Sequence, residues 1–264
     1  MDQKLIFDLG LHNGRDTDFY LAKGFKVIAL EANPTLTEAC FARLSHHVAS
    51  GHLIIENKAL WDLDQSVVSF YVNDSKDDWS SLFKDVSEKG VSTAREIRIK
   101  TITLQRMVAL YGVPYYAKCD MENADAIFAR QMVSLKIKPA YVSVEVNDCT
   151  LPALLYAAGY DRFQLINQYQ HLWTEVPNPA REGQFIDFKF DHHCTGLFGR
   201  ELDPQGWQDL DATAGQIVDA FRMKRDNPKL MLGWFDVHAT TQDELDRDPT
   251  RSTSEMPVDG IALA

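Results

Sequence analysis

Two groups of residues in this sequence have the types and spacing to do chemistry. The first falls within residues 4–34, KLIFDLGLHNGRDTDFYLAKGFKVIALEANP, where Asp8, Gly10 and Gly14 precede Glu31. Glycines at fixed offsets in a turn let backbone N–H groups approach a ligand closely. An acid closing the following apolar run can accept hydrogen bonds from both hydroxyls of a ribose. The second group is Asp120, Glu122 and Glu145, each at or just beyond the end of an apolar run. Carboxylates placed there can take a proton from a substrate hydroxyl or hold that hydroxyl. They could equally hold Mg²⁺, which lowers the pKa of an oxygen bound to it. That is the lesser option, and no residue is assigned as a metal ligand.

The turn separates two cofactor classes. A dinucleotide site is written G-x-G-x-x-G, its second glycine making room for pyrophosphate. Here three residues separate Gly10 from Gly14, and His12 stands where the second glycine belongs. Asp8 would repel a pyrophosphate but suits the ammonium of an amino-acid moiety. S-adenosyl-L-methionine carries that ammonium, a cationic sulfonium and a ribose diol, so the turn favours it over NAD. An NAD-dependent oxidoreductase remains the first alternative. A non-catalytic methyltransferase-like binding module is the second, although Asp8, both glycines and Glu31 are intact.

Positioning these residues requires a particular set of elements. Residues 4–7 and 26–30 read as buried strands around a helix at 16–23, which Gly24 ends. Asn33-Pro34 is a cap followed by a first-turn proline, opening a helix over 34–49. Further strands are expected at 52–60, 66–72, 96–102, 115–120, 140–146, 161–167 and 231–237. Helices fall at 104–111, 121–136, 151–158 and 213–225. Strand–helix alternation predicts an α/β, Rossmann-like doubly wound, mainly parallel sheet of seven strands, the last antiparallel. Ligands bind beyond the carboxyl ends of such strands, where Asp8, Glu31, Asp120 and Glu145 all fall. Lys118, two residues before Asp120, shares its strand face and can partly neutralise the cluster.

One domain over 1–238 is expected. Within it, 168–229 loses the sheet pattern and reads as a substrate-covering insertion. His192 and His193 lie there beside a glycine-bracketed turn, and read as one surface and one packed residue before either reads as a base. Residues 239–264, polar and acidic, read as a weakly ordered tail. A net charge of −11 argues against nucleic acid and anionic membrane as partners. The sequence lacks both an apolar leader and a run of about 18 apolar residues. Cys40, Cys119, Cys149 and Cys194 lack metal-ligand spacing. A reduced, cytoplasmic enzyme acting on a small molecule is expected; the insertion offers a surface for a homodimer.

Several segments together resemble the FkbM-type methyltransferases. Asp8-Leu9-Gly10 with Gly14 and Thr17, then Glu31-Ala32-Asn33-Pro34, are similar to the first two motifs of that family. Asn57-Lys58-Ala59-Leu60 and Ser80-Ser81-Leu82 resemble its middle segment. Thr103-Leu104, Tyr111-Gly112-Val113-Pro114, Lys118-Cys119-Asp120-Met121-Glu122 and Val142-Ser143-Val144-Glu145 follow in order. The resemblance covers about residues 4–166. It implies S-adenosyl-L-methionine held by Asp8, Gly10, Gly14, Thr17, Glu31, Ala32, Asn33, Lys58 and Ala59, with adenine near Ala59. It also implies O-methylation of a hydroxyl on a sugar or secondary metabolite. One departure is Glu122-Asn123-Ala124-Asp125, where the family usually has glycine after the glutamate.

Overall fold

The structure, a computed structural model, describes residues 2–90, 92–227, 229 and 233–247. In chain order its elements are β1 (Asp2–Leu9), α1 (Arg15–Ala22), β2 (Lys26–Leu30), α2 (Pro34–Arg43), α3 (Ser45–Ala49) and β3 (Leu53–Glu56). Next come β4 (Ala59–Leu60), β5 (Val67–Val72), α4 (Lys84–Ser87), β6 (Arg95–Ile102), α5 (Leu104–Tyr111) and β7 (Pro114–Cys119). The chain continues with α6 (Asp125–Leu135), β8 (Tyr141–Val146), α7 (Thr150–Ala157), β9 (Arg162–Asn167), α8 (Leu210–Asp226), β10 (Phe235–Thr240) and α9 (Gln242–Asp246).

Seven strands form one sheet in the order β3-β2-β1-β7-β8-β10-β9. All pair in parallel except β10, which runs antiparallel to both its neighbours. Counted by appearance this is the doubly wound order 3-2-1-4-5-6 with an antiparallel strand slotted in before the last. The expected Rossmann-like, seven-stranded sheet is therefore present. Its strand order reverses between β1 and β7, which fixes where the chain leaves a crevice.

Local chemistry sets the elements. The Asn33 side chain accepts from Thr35 N–H at 3.1 Å and Pro34 opens α2. The single helix expected over 34–49 breaks at Leu44 into α2 and α3. The strand expected over 52–60 is two: β3 ends the large sheet, while β4 joins β5 and β6 in a three-stranded sheet. Asn57, between them, donates its side-chain amide to the Glu31 carbonyl at 2.8 Å, and that tie turns the chain.

The two faces of the large sheet are covered differently. One carries an apolar core of Phe7, Ile28, Ala117, Val142 and Val144 against Met107, Phe128, Leu155 and Ile217 from α5–α8. The other is aromatic: Phe19 and Tyr20 of α1 meet Tyr116 of β7 and Phe198 of the insertion. Phe198 stacks on Tyr116 with ring centroids 4.7 Å apart. Beneath this layer a buried polar row crosses the sheet in register, Asp8–Lys118–Ser143–His238–Gln164.

Two boundaries differ from the sequence reading. Helix α8 packs on the apolar face with α7, so the covering part of 168–229 is the stretch before it. The last strand among the described residues is Phe235–Thr240, where 231–237 was expected; residues 231–232 of that expectation lie outside the described residues, and α9 follows. Residues 239–247 thus belong to the fold, anchored by the buried Leu245; the rest of the expected tail, from 248, lies outside the described residues. Among the described residues no helix is long and apolar enough to cross a membrane.

Candidate functional site

A cleft of about 720 Å³ opens at the carboxyl edge of the sheet, over the reversal between β1 and β7. Five of the nine residues expected to hold a cofactor line it: Gly10, Glu31, Ala32, Lys58 and Ala59. Asp120, Glu122 and Glu145, the three expected to do chemistry, line it as well. Asp8, Gly14, Thr17 and Asn33 do not, and stand behind the wall.

Glu31 is the best-held group. Its Oε2 accepts from the backbone N–H of His12 at 2.9 Å and its Oε1 from that of Asn33 at 2.7 Å. Burial raises its pKa and these two N–H groups pull it back down. His12 can donate there because it takes a positive φ of 49°, a backbone state the turn imposes. Fixed from behind, the carboxylate turns its remaining lone pairs to the cleft. Beside it Ala32, Leu36, Ala59, Leu60, Phe70 and Leu82 make an apolar slot.

Asp8 departs from its expected role. It is fully buried, and its Oδ2 accepts from the Thr17 hydroxyl at 2.6 Å. Its Oδ1 faces Lys118 Nζ at 3.5 Å but accepts no hydrogen bond. Burial raises the Asp8 pKa, and Lys118 opposes that. Lys118 also lies 3.9 Å from both Asp16 and Asp120, and donates to the Gly10 carbonyl at 2.6 Å. Burial alone would lower the lysine's pKa; the surrounding aspartates outweigh it and raise it. Asp8 and Thr17 therefore position the lysine and the turn, and of the three aspartates within 4 Å of Lys118 Nζ it is Asp120 that meets the cleft.

Asp120, Glu122 and Glu145 offer carboxylate oxygens that all lie within 4.8 Å of one another. Burial, then the charge of Asp120, pushes Glu122 up to about 7 and Glu145 up to about 10. Lys89 pairs with Glu122 at 3.2 Å. The backbone supports this corner: Glu122 and Asn123 both take positive φ, 49° and 70°. Asparagine tolerates that state better than most residues, which explains how it serves where the resembled family has glycine.

The sequence reading missed Asp236. Because β10 is antiparallel, its first residues, not its last, reach the carboxyl edge. Asp236 sits there directly opposite Glu145 and lines the cleft. Burial and Asp120 raise its pKa well above the carboxylate range. An acid inside the apolar run Trp234-Phe235-Asp236-Val237 was the available signal. The covering segment contributes Gln168, Tyr169, Leu172, His192, His193, Cys194 and Thr195 to the wall. His193 meets His12 with ring centroids 5.2 Å apart, so both adjacent histidines border the cleft. His238 is buried between β8 and β9, away from the cleft, and burial lowers its pKa to about 3. Trp79 and Trp234 line the cleft, whereas Trp207 packs on Tyr141 and Trp173 is exposed.

The sequence matches no protein-family model, and no curated protein matches it. Among solved structures it is similar to the precorrin-6y C5,15-methyltransferase from Geobacter metallireducens GS-15, with 8% identity and a TM-score of 0.35 over 91% of this chain and 80% of that one. It is also similar to the 4+2 cyclase SpnF, with 8% identity and a TM-score of 0.39 over 90% and 75%. The StiE O-MT gives 9% and 0.40 over 98% and 77%. At these identities the likeness reaches only the arrangement of strands and helices, which the sheet order already defines: a Rossmann-like α/β fold with an antiparallel penultimate strand.

Proposed function

We propose that the protein is an S-adenosyl-L-methionine-dependent methyltransferase of the FkbM type that methylates a hydroxyl of a sugar or secondary metabolite. The observation that carries this is Glu31, held by two backbone N–H groups with its free face to the cleft. A carboxylate so fixed suits a ribose diol, and the apolar slot beside it suits a purine. The rest of the wall discriminates between cofactors. Asp120, Glu122, Glu145 and Asp236 stand so close there that mutual repulsion helps raise the pKa of Glu122, Glu145 and Asp236; a cationic ligand relieves that repulsion, whereas a pyrophosphate adds to it. The residues present thus fit the adenosyl cofactor better than NAD.

When bound, the cofactor supplies a methyl group on a cationic sulfonium. The chain's own tasks are to hold two reactants in line, exclude water and receive a proton. Asp120 and Glu122 are the carboxylates available to receive the proton of an attacking hydroxyl, while Glu145, pushed up to about 10, holds its own proton and can hydrogen-bond the acceptor. The covering segment, with Tyr169, His192 and His193 on the cleft, shapes the acceptor side.

Calorimetric titration of S-adenosylmethionine, S-adenosylhomocysteine and NAD into wild type and Glu31→Gln tests the reading. Each charge-assisted bond to the diol contributes about 1.5–3 kcal/mol. The expected result is binding of both adenosyl ligands, weakened at least about a hundredfold in the variant. Binding of NAD without either adenosyl ligand would refute the proposal; binding of none would favour a non-catalytic module.

A further inference from the structure

We propose that Gln168 binds a ring hydroxyl of the acceptor against the side chains of Tyr169 and Trp234, and that the acceptor is a saccharide. This rests on the methyl-transfer reading and narrows its acceptor class. All three residues line the cleft. The sheet places them far from Glu31. Gln168 directly follows β9, and its N–H donates to the carbonyl of Trp234, just before β10, at 3.0 Å. Glu31 directly follows β2, which lies four strand spacings from β10, about 19 Å. One end of the cleft thus serves the ribose, and the other is left for the acceptor.

Gln168 carries the inference. It is 1% exposed, and its Oε1 is bonded to His171 Nε2. Its Nε2 is buried without a hydrogen-bond partner among the described residues. Gln168 lines the cleft and His171 does not, which leaves the unpartnered end of the amide for the cleft. A buried amide left unpaired is costly, and folded proteins satisfy such groups or give them a ligand. A hydroxyl both donates and accepts, so it answers the amide in either orientation. The aromatic pair beside it is fixed. Tyr169 and Trp234 meet with ring centroids 5.6 Å apart at 62°. Tyr169 N–H donates to the Asn167 side chain at 3.0 Å, and its ring lies over Gly233, where a Cβ would stand 2.6 Å from Tyr169 Cδ2. A saccharide ring supplies an apolar C–H face for such rings and a polar rim for the amide. Gln168 also needs a hydroxyl besides the one being methylated, which a saccharide has and a simple phenol lacks.

The test is saturation-transfer NMR titration of the full chain, with and without S-adenosylhomocysteine. The probes are the methyl glycosides of glucose, galactose, mannose and rhamnose, with 2-naphthol as a flat phenol. Binding of at least one glycoside in preference to 2-naphthol is expected when S-adenosylhomocysteine is present. Gln168→Met should weaken that glycoside about tenfold and leave the affinity for S-adenosylhomocysteine unchanged. Among monodeoxy analogues of that glycoside, one should lose about the same factor against wild type and nothing further against Gln168→Met. A merely structural role would weaken every analogue alike. Should Gln168→Met fail to fold, Tyr169→Leu decides, with an expected loss of about fivefold for the glycoside and none for S-adenosylhomocysteine. No glycoside bound, 2-naphthol preferred, or the same deoxy pattern in wild type and Gln168→Met overturns the inference. If S-adenosylhomocysteine binds and the glycosides do not, the saccharide site falls and the methyltransferase reading stands. Glycoside binding that depends on Gln168, with no adenosyl ligand bound, would do the reverse.

Discussion

Single residues carry most of the strain in the turn that follows β1. Gly10 has φ +90°, and a Cβ built on it would lie 1.8 Å from the Asp120 carbonyl oxygen. Neither can move freely, because Asp120 N–H donates to Leu9 and the Gly10 carbonyl takes the Lys118 ammonium. Gly10→Ala should therefore cost at least about 3 kcal/mol, combining a disfavoured φ with a backbone collision. Urea melts would measure it, and a loss below about 1 kcal/mol would mean that the β1 and β7 ends separate easily. The glycines of this turn were legible as sequence, and so was Glu31. Asp8 was not, because its role depends on register. Asp8 pairs across β1–β7 with Lys118, so the two side chains share a face and meet below the cleft. Nothing in a linear reading of Lys4–Leu9 fixes which residue of β7 lies alongside.

At the scale of elements, strands at the sheet centre were legible because burial on both faces makes them continuous apolar runs. The edges and the inserted segment were not. Strand β10 follows residues with weak pattern, and starting it at 231 hid that Asp236 stands at its opening end. The covering segment lacks period because side-chain anchors hold it in place of a ladder. Thr195 N–H donates to Asp16 at 2.9 Å, and Arg15 meets Asp191 at 3.1 Å. Deeper in, Lys23 at the end of α1 pairs with Glu201, both fully buried, and Glu201 also accepts from the N–H groups of Arg181 and Glu182. Removing one partner of such a pair strands the other charge. Lys23→Met should lower stability by about 3–5 kcal/mol, and adding Glu201→Gln should restore part of that loss. Equal losses in the single and double variants would show that Lys23 acts through packing and not through charge.

The whole molecule is asymmetric about its sheet, with an apolar core on one face and titratable groups buried among aromatic rings on the other. That asymmetry should appear as pH-dependent stability. His171, in the covering segment, is buried against Phe190 and bonded to Gln168. Burial lowers its pKa from 6.5 to about 4, with a backbone bond involving Thr195 opposing. Above pH 6.5 the ring is neutral folded or unfolded, and its contribution is fully present. Between about 6.5 and 4 only the unfolded chain takes the proton, so that contribution is lost as pH falls, up to about 3 kcal/mol. Asp16 works in the opposite sense. Burial raises it to about 7, so the folded state holds its proton more tightly and stability declines as pH rises from about 4 to 7. The two trends overlap in wild type, which makes the total curve a poor test. The difference between wild type and His171→Gln isolates the histidine, because Asp16 and its neighbours are common to both. Urea unfolding of the pair from pH 7.5 to 4.5 should show wild type losing ground to the variant by up to about 3 kcal/mol. A difference that stays flat with pH would mean that the imidazole is solvated in the fold, and that the covering segment opens there.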